Sequence, residues 1–267
     1  MLVDTHAHLD LPDFAADREA VIARAVEADV RCTVSVGLDV ASSRAAIALA
    51  ERYEGIVAAV GFHPHEAARL DDKALAQIKA LAKQPGVVAI GEIGLDFYRM
   101  RSPREAQLEA FQRQLTLAAE LGLPVVVHDR EAHDDVIRIL ESWARSQAGR
   151  KNLGVLHCFS GDLAMAERAV DVGLYISIAG TVTFPNAQRL AEVAARVPEW
   201  ALLLETDCPF LAPLPYRGKR NEPAYVRIAA ARVAQLRSVD VDTVAGVTTE
   251  NARRLFNPDL ALLEPKS

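Results

Sequence analysis

The chain opens with Leu2-Val3-Asp4-Thr5-His6-Ala7-His8-Leu9-Asp10, an apolar run that passes directly into His-x-His. In extended backbone, residues two apart point to the same side, so His6 and His8 can bring two imidazole nitrogens to one ion. A doubly wound α/β sheet would carry a glycine-rich phosphate loop after its first strand; Thr5-His6-Ala7-His8 stands in that place instead. The decisive point is repetition, because later apolar runs also end in His, Glu or Asp.

These runs alternate with helical patterns. Thr33–Gly37 reads as a second strand and Ile56–Gly61 as a third, ending in Phe62-His63-Pro64-His65-Glu66. Val87–Gly94, Pro124–Asp129, Asn152–Gly161, Gly173–Ile178 and Ala201–Asp207 continue the series to eight. Between them the 3.6-residue spacing of apolar side chains predicts helices over Asp13–Asp29, from a cap at Ser42 or Ser43 through Ala50, and over Asp72–Lys83. A longer helix runs from Arg104 to Leu121 and is closed by Gly122, another follows the fifth strand, and the chain ends on helices over Pro223–Arg237 and Asp242–Phe256. Near-continuous Val/Ile/Leu/Ala strands, each followed by a helix, are parallel and buried on both faces. Eight such units in about 250 residues predict an α/β fold, a single-domain (β/α)8 TIM-like barrel over residues 1–267.

Composition narrows the function. With 267 residues, 51% of them hydrophobic, the chain can bury a full core. Thirty Lys and Arg against 36 Asp and Glu give a net charge of −6, which argues against a protein that wraps long nucleic acid but leaves room for a local phosphate pocket. No leader-like or membrane-length segment is evident, and Cys32, Cys158 and Cys208 are too few and too scattered for a disulfide framework, so reduced thiols in the cytoplasm are expected.

A parallel barrel carries all its strand C-termini to one face, so His6, His8, His63, Glu92, His128, His157 and Asp207 should share one mouth. Imidazoles and carboxylates ending apolar strands cost desolvation unless something pairs with them, and a divalent metal is such a partner. Four histidines and two carboxylates exceed one tetrahedral site and suit two ions with a bridging carboxylate. Glu92 is the expected bridge, with His6, His8 and Asp207 completing one ion and His128 and His157 the other. Two ions about 3.5–4 Å apart activate a water for in-line attack, so hydrolysis is the expected reaction, with Asp207 placed to take the water's proton. The donor mixture suits Zn, Mn, Co, Ni or Mg.

The motifs also resemble a known family. Asp4-Thr5-His6-Ala7-His8-Leu9-Asp10, Val60-Gly61-Phe62-His63-Pro64-His65, Ile90 to Tyr98, Pro124 to His128, His157-Cys158-Phe159-Ser160-Gly161 and Leu204 to Leu211 are similar to those of the TatD metal-dependent deoxyribonucleases, within the amidohydrolase-like barrel superfamily. The resemblance implies a metal-dependent DNase acting largely from 3′ ends of single strands, with metal ligands at His6, His8, Glu92, His128, His157 and Asp207. DNA would then be the partner, with no membrane involved and a monomer compatible with the sequence.

Substrate phosphate calls for donors near the metals. His63 ends its strand without a metal role, and Tyr216-Arg217-Gly218-Lys219-Arg220-Asn221 follows Asp207 by a short loop. Arg217, Lys219 and Arg220 are therefore phosphate candidates, with Arg130 a further one beyond His128. Glu205, two before Asp207, should order the metal shell from behind. An amidohydrolase or lactonase could use the same metals; the cationic loop and the spare His63 favour phosphate. Phe97-Tyr98 either walls the cleft, stacks a base or packs beneath a loop.

Overall fold

Each apolar run becomes a parallel strand, and the helices return the chain along the outside. The computed structural model describes residues 1–147 and 149–256; residues 148 and 257–267 of the expected unit lie outside the described residues. The strands are β1 (Leu2–Ala7), β2 (Val30–Val36), β3 (Ile56–Val60), β4 (Val87–Asp96), β5 (Val125–Arg130), β6 (Gly154–Leu156), β7 (Leu174–Ile178) and β8 (Leu202–Leu204). They lie side by side in chain order, each parallel to the next. Just beyond β8 the ring closes on β1: Asp207 N donates to His6 O at 2.9 Å and His8 N to Cys208 O at 2.8 Å. Below this seam Asp4 accepts from Thr206 N at 2.8 Å and from the Thr206 hydroxyl at 2.6 Å. The fold is thus the expected eight-stranded α/β barrel.

Outside run α1 (Arg18–Glu27), α2 (Val40–Arg52), α3 (Asp72–Leu81), α4 (Arg104–Leu121), α5 (His133–Ser146), α6 (Leu163–Asp171), α7 (Gln188–Arg196), α8 (Val226–Arg237) and α9 (Val241–Phe256). Most element ends differ from the sequence reading by a few residues, and β6 is cut to Gly154–Leu156; three of the differences have a visible cause or consequence. The helix expected from Asp13 starts at Arg18, because Pro12–Phe14 form a separate turn that buries Phe14. The cap of α2 is Asp39, whose carboxylate accepts from Ser42 N at 2.9 Å while Ser42 Oγ accepts from Asp39 N at 2.9 Å; Ser42 is the reciprocal partner and Ser43 is buried. β8 stops at Leu204, so Glu205 to Asp207 leave the ladder.

The barrel interior is filled by small and branched side chains, among them Val3, Val34, Val57, Ala89, Val126 and Leu203, which join Ala252, Leu255 and Phe256 of α9 in one cluster. α9 therefore stoppers the N-terminal end, and polar chemistry is left the other mouth. Among the described residues no helix is long and apolar enough to cross a membrane.

Candidate metal centre

Two irregularities in the ladder aim the donors. Between Ile90↔Val125 and Ile93↔Val127, β4 carries one residue more than β5, and the extra residue turns Glu92 into the mouth. Gly94 follows at φ +137°, where a Cβ would lie 2.0 Å from the His128 carbonyl; only glycine lets β4 and β5 approach this closely. β1 has the same kind of offset between Asp4↔Thr33 and Ala7↔Ser35, at Thr5–His6.

Glu92 is the centre of the site and is 2% exposed. Its Oε2 lies 3.3 Å from His6 Nε2 and 3.6 Å from His8 Nε2, while its Oε1 lies 2.8 Å from both His128 Nδ1 and His157 Nε2 and 3.4 Å from His63 Nε2. Asp207, turned back by a φ of +56°, brings Oδ1 within 3.5 Å of His8 Nε2 and 3.8 Å of His6 Nε2. The structure therefore brings the six expected ligand residues together, Glu92 at the centre and the other five around it, and six of the chain's seven histidines, all but His133, meet at this mouth.

Hydrogen bonds behind His8 and His128, and a carboxylate contact behind His157, set which nitrogen faces inward. His8 Nδ1 lies 3.0 Å from the Val36 carbonyl and donates to it, which leaves Nε2 facing Glu92 and Asp207. His128 is the mirror case: Nε2 lies 3.3 Å from Asp96 Oδ2 and donates there, leaving Nδ1 toward Glu92. His157 has Glu205 Oε1 at 3.4 Å behind Nδ1 and turns Nε2 inward. His63 is different. Its Nδ1 accepts from His65 N at 3.0 Å, so a neutral His63 carries its proton on Nε2 and offers a donor, not a lone pair.

The electrostatics call for positive charge. Burial alone would push the Glu92 carboxyl up, yet His157, His63 and His6 hold it well below its ordinary range. Burial likewise opposes protonation of His8 and His157, but Asp207 and Glu92 lift His8 to about 9, and Glu92 and Glu205 lift His157 well above the imidazole range. His63 goes the other way, to about 4, through burial and the nearby His128 and His65, and is neutral at pH 7. Nε2 atoms of His6 and His8 stand 3.2 Å apart, and His128 Nδ1 and His157 Nε2 stand 3.3 Å apart. Ring nitrogens this close together, held around ionised carboxylates that draw protons onto them, fit divalent cations in place of those protons. Among the described residues, buried His6 Nδ1, His157 Nδ1 and Glu205 Oε2 also find no hydrogen-bond partner. Among the described residues, close donor groups form from His6, His8 and Glu92, from His63, Glu92 and His128, and from His6, His157 and Glu205. No cysteine joins them, and Cys208 is fully buried.

The structure adds a layer that the sequence reading left out. His65 Nε2 lies 2.8 Å from Asp96 Oδ2, the same oxygen that His128 meets, so Asp96 ties two imidazoles together. The signals were present: Asp96 is at i+4 from Glu92 on one strand, and His63-Pro64-His65 repeats the spacing of His6-Ala7-His8. The cation loop, by contrast, divides. Arg220 is held by Asp17 through two 2.7 Å bonds, donates to Asp13 O and covers the Phe14 ring. Its fork is thus engaged with Asp17, which leaves it the least available of the phosphate candidates. Arg217 lies over Phe184 and Lys219 near Tyr216, with no ion pair among the described residues. Arg130 lies over the Tyr98 ring, two residues past His128.

Comparison with known proteins agrees with this geometry. Residues 3–257 match the family model described as TatD related DNase. The chain is 43% identical over 256 residues to the uncharacterized metal-dependent hydrolase YabD of Bacillus subtilis, covering 96% of this chain and 99% of that one. It is 40% identical over 260 residues to the 3′-5′ ssDNA/RNA exonuclease TatD of Salmonella typhimurium, covering 96% and 98%. Among solved structures, the TatD homologue YjjV of Escherichia coli superposes with a TM-score of 0.89 at 35% identity, over 96% of this chain and 98% of that one. A barrel whose C-terminal mouth gathers six histidines with buried Glu92 thus sits where sequence likeness also puts it: the chain belongs to the TatD-related DNase family of metal-dependent hydrolases.

Proposed function

We propose that this protein is a two-ion phosphodiesterase that removes nucleotides from DNA, working from 3′ ends of single strands. The observation that carries the reading is the division of Glu92, with one oxygen toward His6 and His8 and the other toward His128 and His157. One ion would be held by His6, His8, Glu92 and Asp207, the other by Glu92, His128 and His157, and the donor mixture suits Zn, Mn, Co, Ni or Mg. Bound there, such cations would lower the pKa of a water and offset charge on the attacked phosphate and its leaving oxygen.

The chain's own groups do the rest. Burial pushes the Asp207 carboxyl up, but its bond with His8 and the charges of His6 and His157 hold it below the ordinary range, so it is ionised at neutral pH. It can therefore take the proton of an attacking water at Oδ1. His63 keeps its Nε2 proton and donates it to a phosphate oxygen; Glu205 braces His157 from behind. Arg130 on one side, and Arg217 and Lys219 on the other, supply cations for flanking phosphates. A substrate of nucleic acid is supported by the exonuclease name of the Salmonella relative. All proposed donors come from one chain, so a monomer suffices, and three unpaired thiols suit a reducing cytoplasm.

The test is release of nucleotide from end-labelled single-stranded DNA, with and without chelator, beside a panel of amides and lactones. Chelator-sensitive release is expected; turnover of an amide or lactone with no nucleotide released would overturn the reading. Asp207→Asn should abolish turnover, and full activity in the metal-loaded variant would remove Asp207 from proton transfer.

A further inference from the structure

Two large aromatic side chains stand exposed at the mouth, one on each side of Glu92. Phe210 is 50% exposed, and its ring lies 6.1 Å from that of His8, on the Oε2 side. Tyr98 is 60% exposed and sits two residues past Asp96, which meets His128 on the Oε1 side. Single exposed aromatics are ordinary on protein surfaces. These two are held in place. Phe210 N donates to Asp207 O at 2.9 Å, and buried Asn221 donates to both Phe210 O at 2.7 Å and Thr206 O at 2.8 Å, which fixes the turn from proposed ligand to ring. Tyr98 N donates to Asp96 Oδ1 at 3.0 Å, and guanidinium groups of Arg130 and Arg99 lie 5.0 and 5.6 Å from its ring centre. Each ring is thus tethered through a short turn to a carboxylate of the centre, on a residue at least half exposed.

We propose that Phe210 and Tyr98 are base platforms, each stacking one of the two nucleobases that flank the scissile phosphate. The inference rests on the nuclease reading and adds the parts of the substrate that the metal centre does not touch. A phosphate lying over Glu92 has a neighbour on either hand, and unstacked bases of a single strand find a flat apolar face in each direction. Stacking accepts any base, so these platforms favour single strands without selecting sequence. The cations beside Tyr98 leave Arg130 close enough to serve the adjoining phosphate while it stiffens the ring.

The experiment uses the metal-loaded enzyme and short single-stranded DNA, either complete or with an abasic residue at one of the two terminal positions. The wild type should show a KM about tenfold lower for complete DNA than for the abasic substrates, as expected for one stacked base. Phe210→Ala should erase that preference at one position and Tyr98→Ala at the other, with the loss in KM, while Phe210→Trp and Tyr98→Phe should retain it. Equal losses on complete and abasic DNA, or no loss, would overturn the platforms while leaving the nuclease reading in place. A wild type that releases no nucleotide from either DNA would overturn both.

Discussion

The two oxygens of Glu92 face unlike halves of the centre. On the Oε2 side, His6 and His8 come from one strand, Asp207 closes the ring beside them, and the outer brace of His8 is a backbone carbonyl, that of Val36. On the Oε1 side, His63, His128 and His157 come from three different strand ends, and the outer braces are side chains, Asp96 and Glu205. The first half is fixed once β1 is paired; the second depends on side-chain carboxylates that bring their own charge. Lone pairs supported by anionic braces are more basic than those supported by a neutral carbonyl, so the two halves should hold ions with unequal strength.

The broadest way to break this contrast is to remove the group common to both halves. Glu92→Gln keeps the shape but not the charge, and both halves should suffer together. Turnover should fall by about 10³-fold or more, and metal analysis after dialysis should show loss from both positions. A variant that retains two equivalents and turns over would mean that Glu92 is not the bridge.

A one-sided perturbation sharpens the contrast. Asp96→Asn takes the negative charge from behind His128 and His65 but touches nothing around His6 and His8. Loss of such an outer carboxylate typically costs about 10–100-fold in metal affinity or activity, and here it should weaken one equivalent of metal and spare the other. Titration with metal, followed by calorimetry, should resolve a weakened step beside an unchanged one. Equal weakening of both steps would mean that the halves are coupled too tightly to be distinguished.

The same contrast explains what was legible in the sequence. His6, His8, Glu92, His128, His157 and Asp207 each follow an apolar run, and parallel topology alone brings such ends together, so the centre could be assembled without knowing any contact. The outer layer could not. Val36 contributes a carbonyl, which has no signature in its side chain, and Asp96, the last residue of β4, answers His128 on β5 and His65 beyond the end of β3, a meeting that only the folded chain creates. Arg220 shows the limit most sharply: as sequence it is one more cation in a basic run, while in the fold Asp17, far upstream, has taken its fork. Local competition also moved boundaries, as when the Asp39 carboxylate outbid Ser42 for the cap of α2.

The smallest expected effects concern the cations, and they set the two halves against each other once more. In the proposed track Arg130 would serve the His128 side and Arg217 with Lys219 the Asp207 side, whereas Arg220 is held by Asp17 at the start of α1. Replacing Arg130, or Arg217 together with Lys219, by Ala should raise the KM for single-stranded DNA several-fold, and each lost phosphate contact should reduce the slope of log affinity on log salt by about 0.7. Arg220→Ala should leave the slope where it is and lower the melting temperature instead, because its partners are Asp17 and Asp13. Measured across a salt series, a slope that responds to Arg220 and ignores Arg217 and Lys219 would reverse the assignment and put the DNA track on the α1 side of the mouth. A slope that responds to Arg130 alone would run the strand out over the His128 half, beside Tyr98.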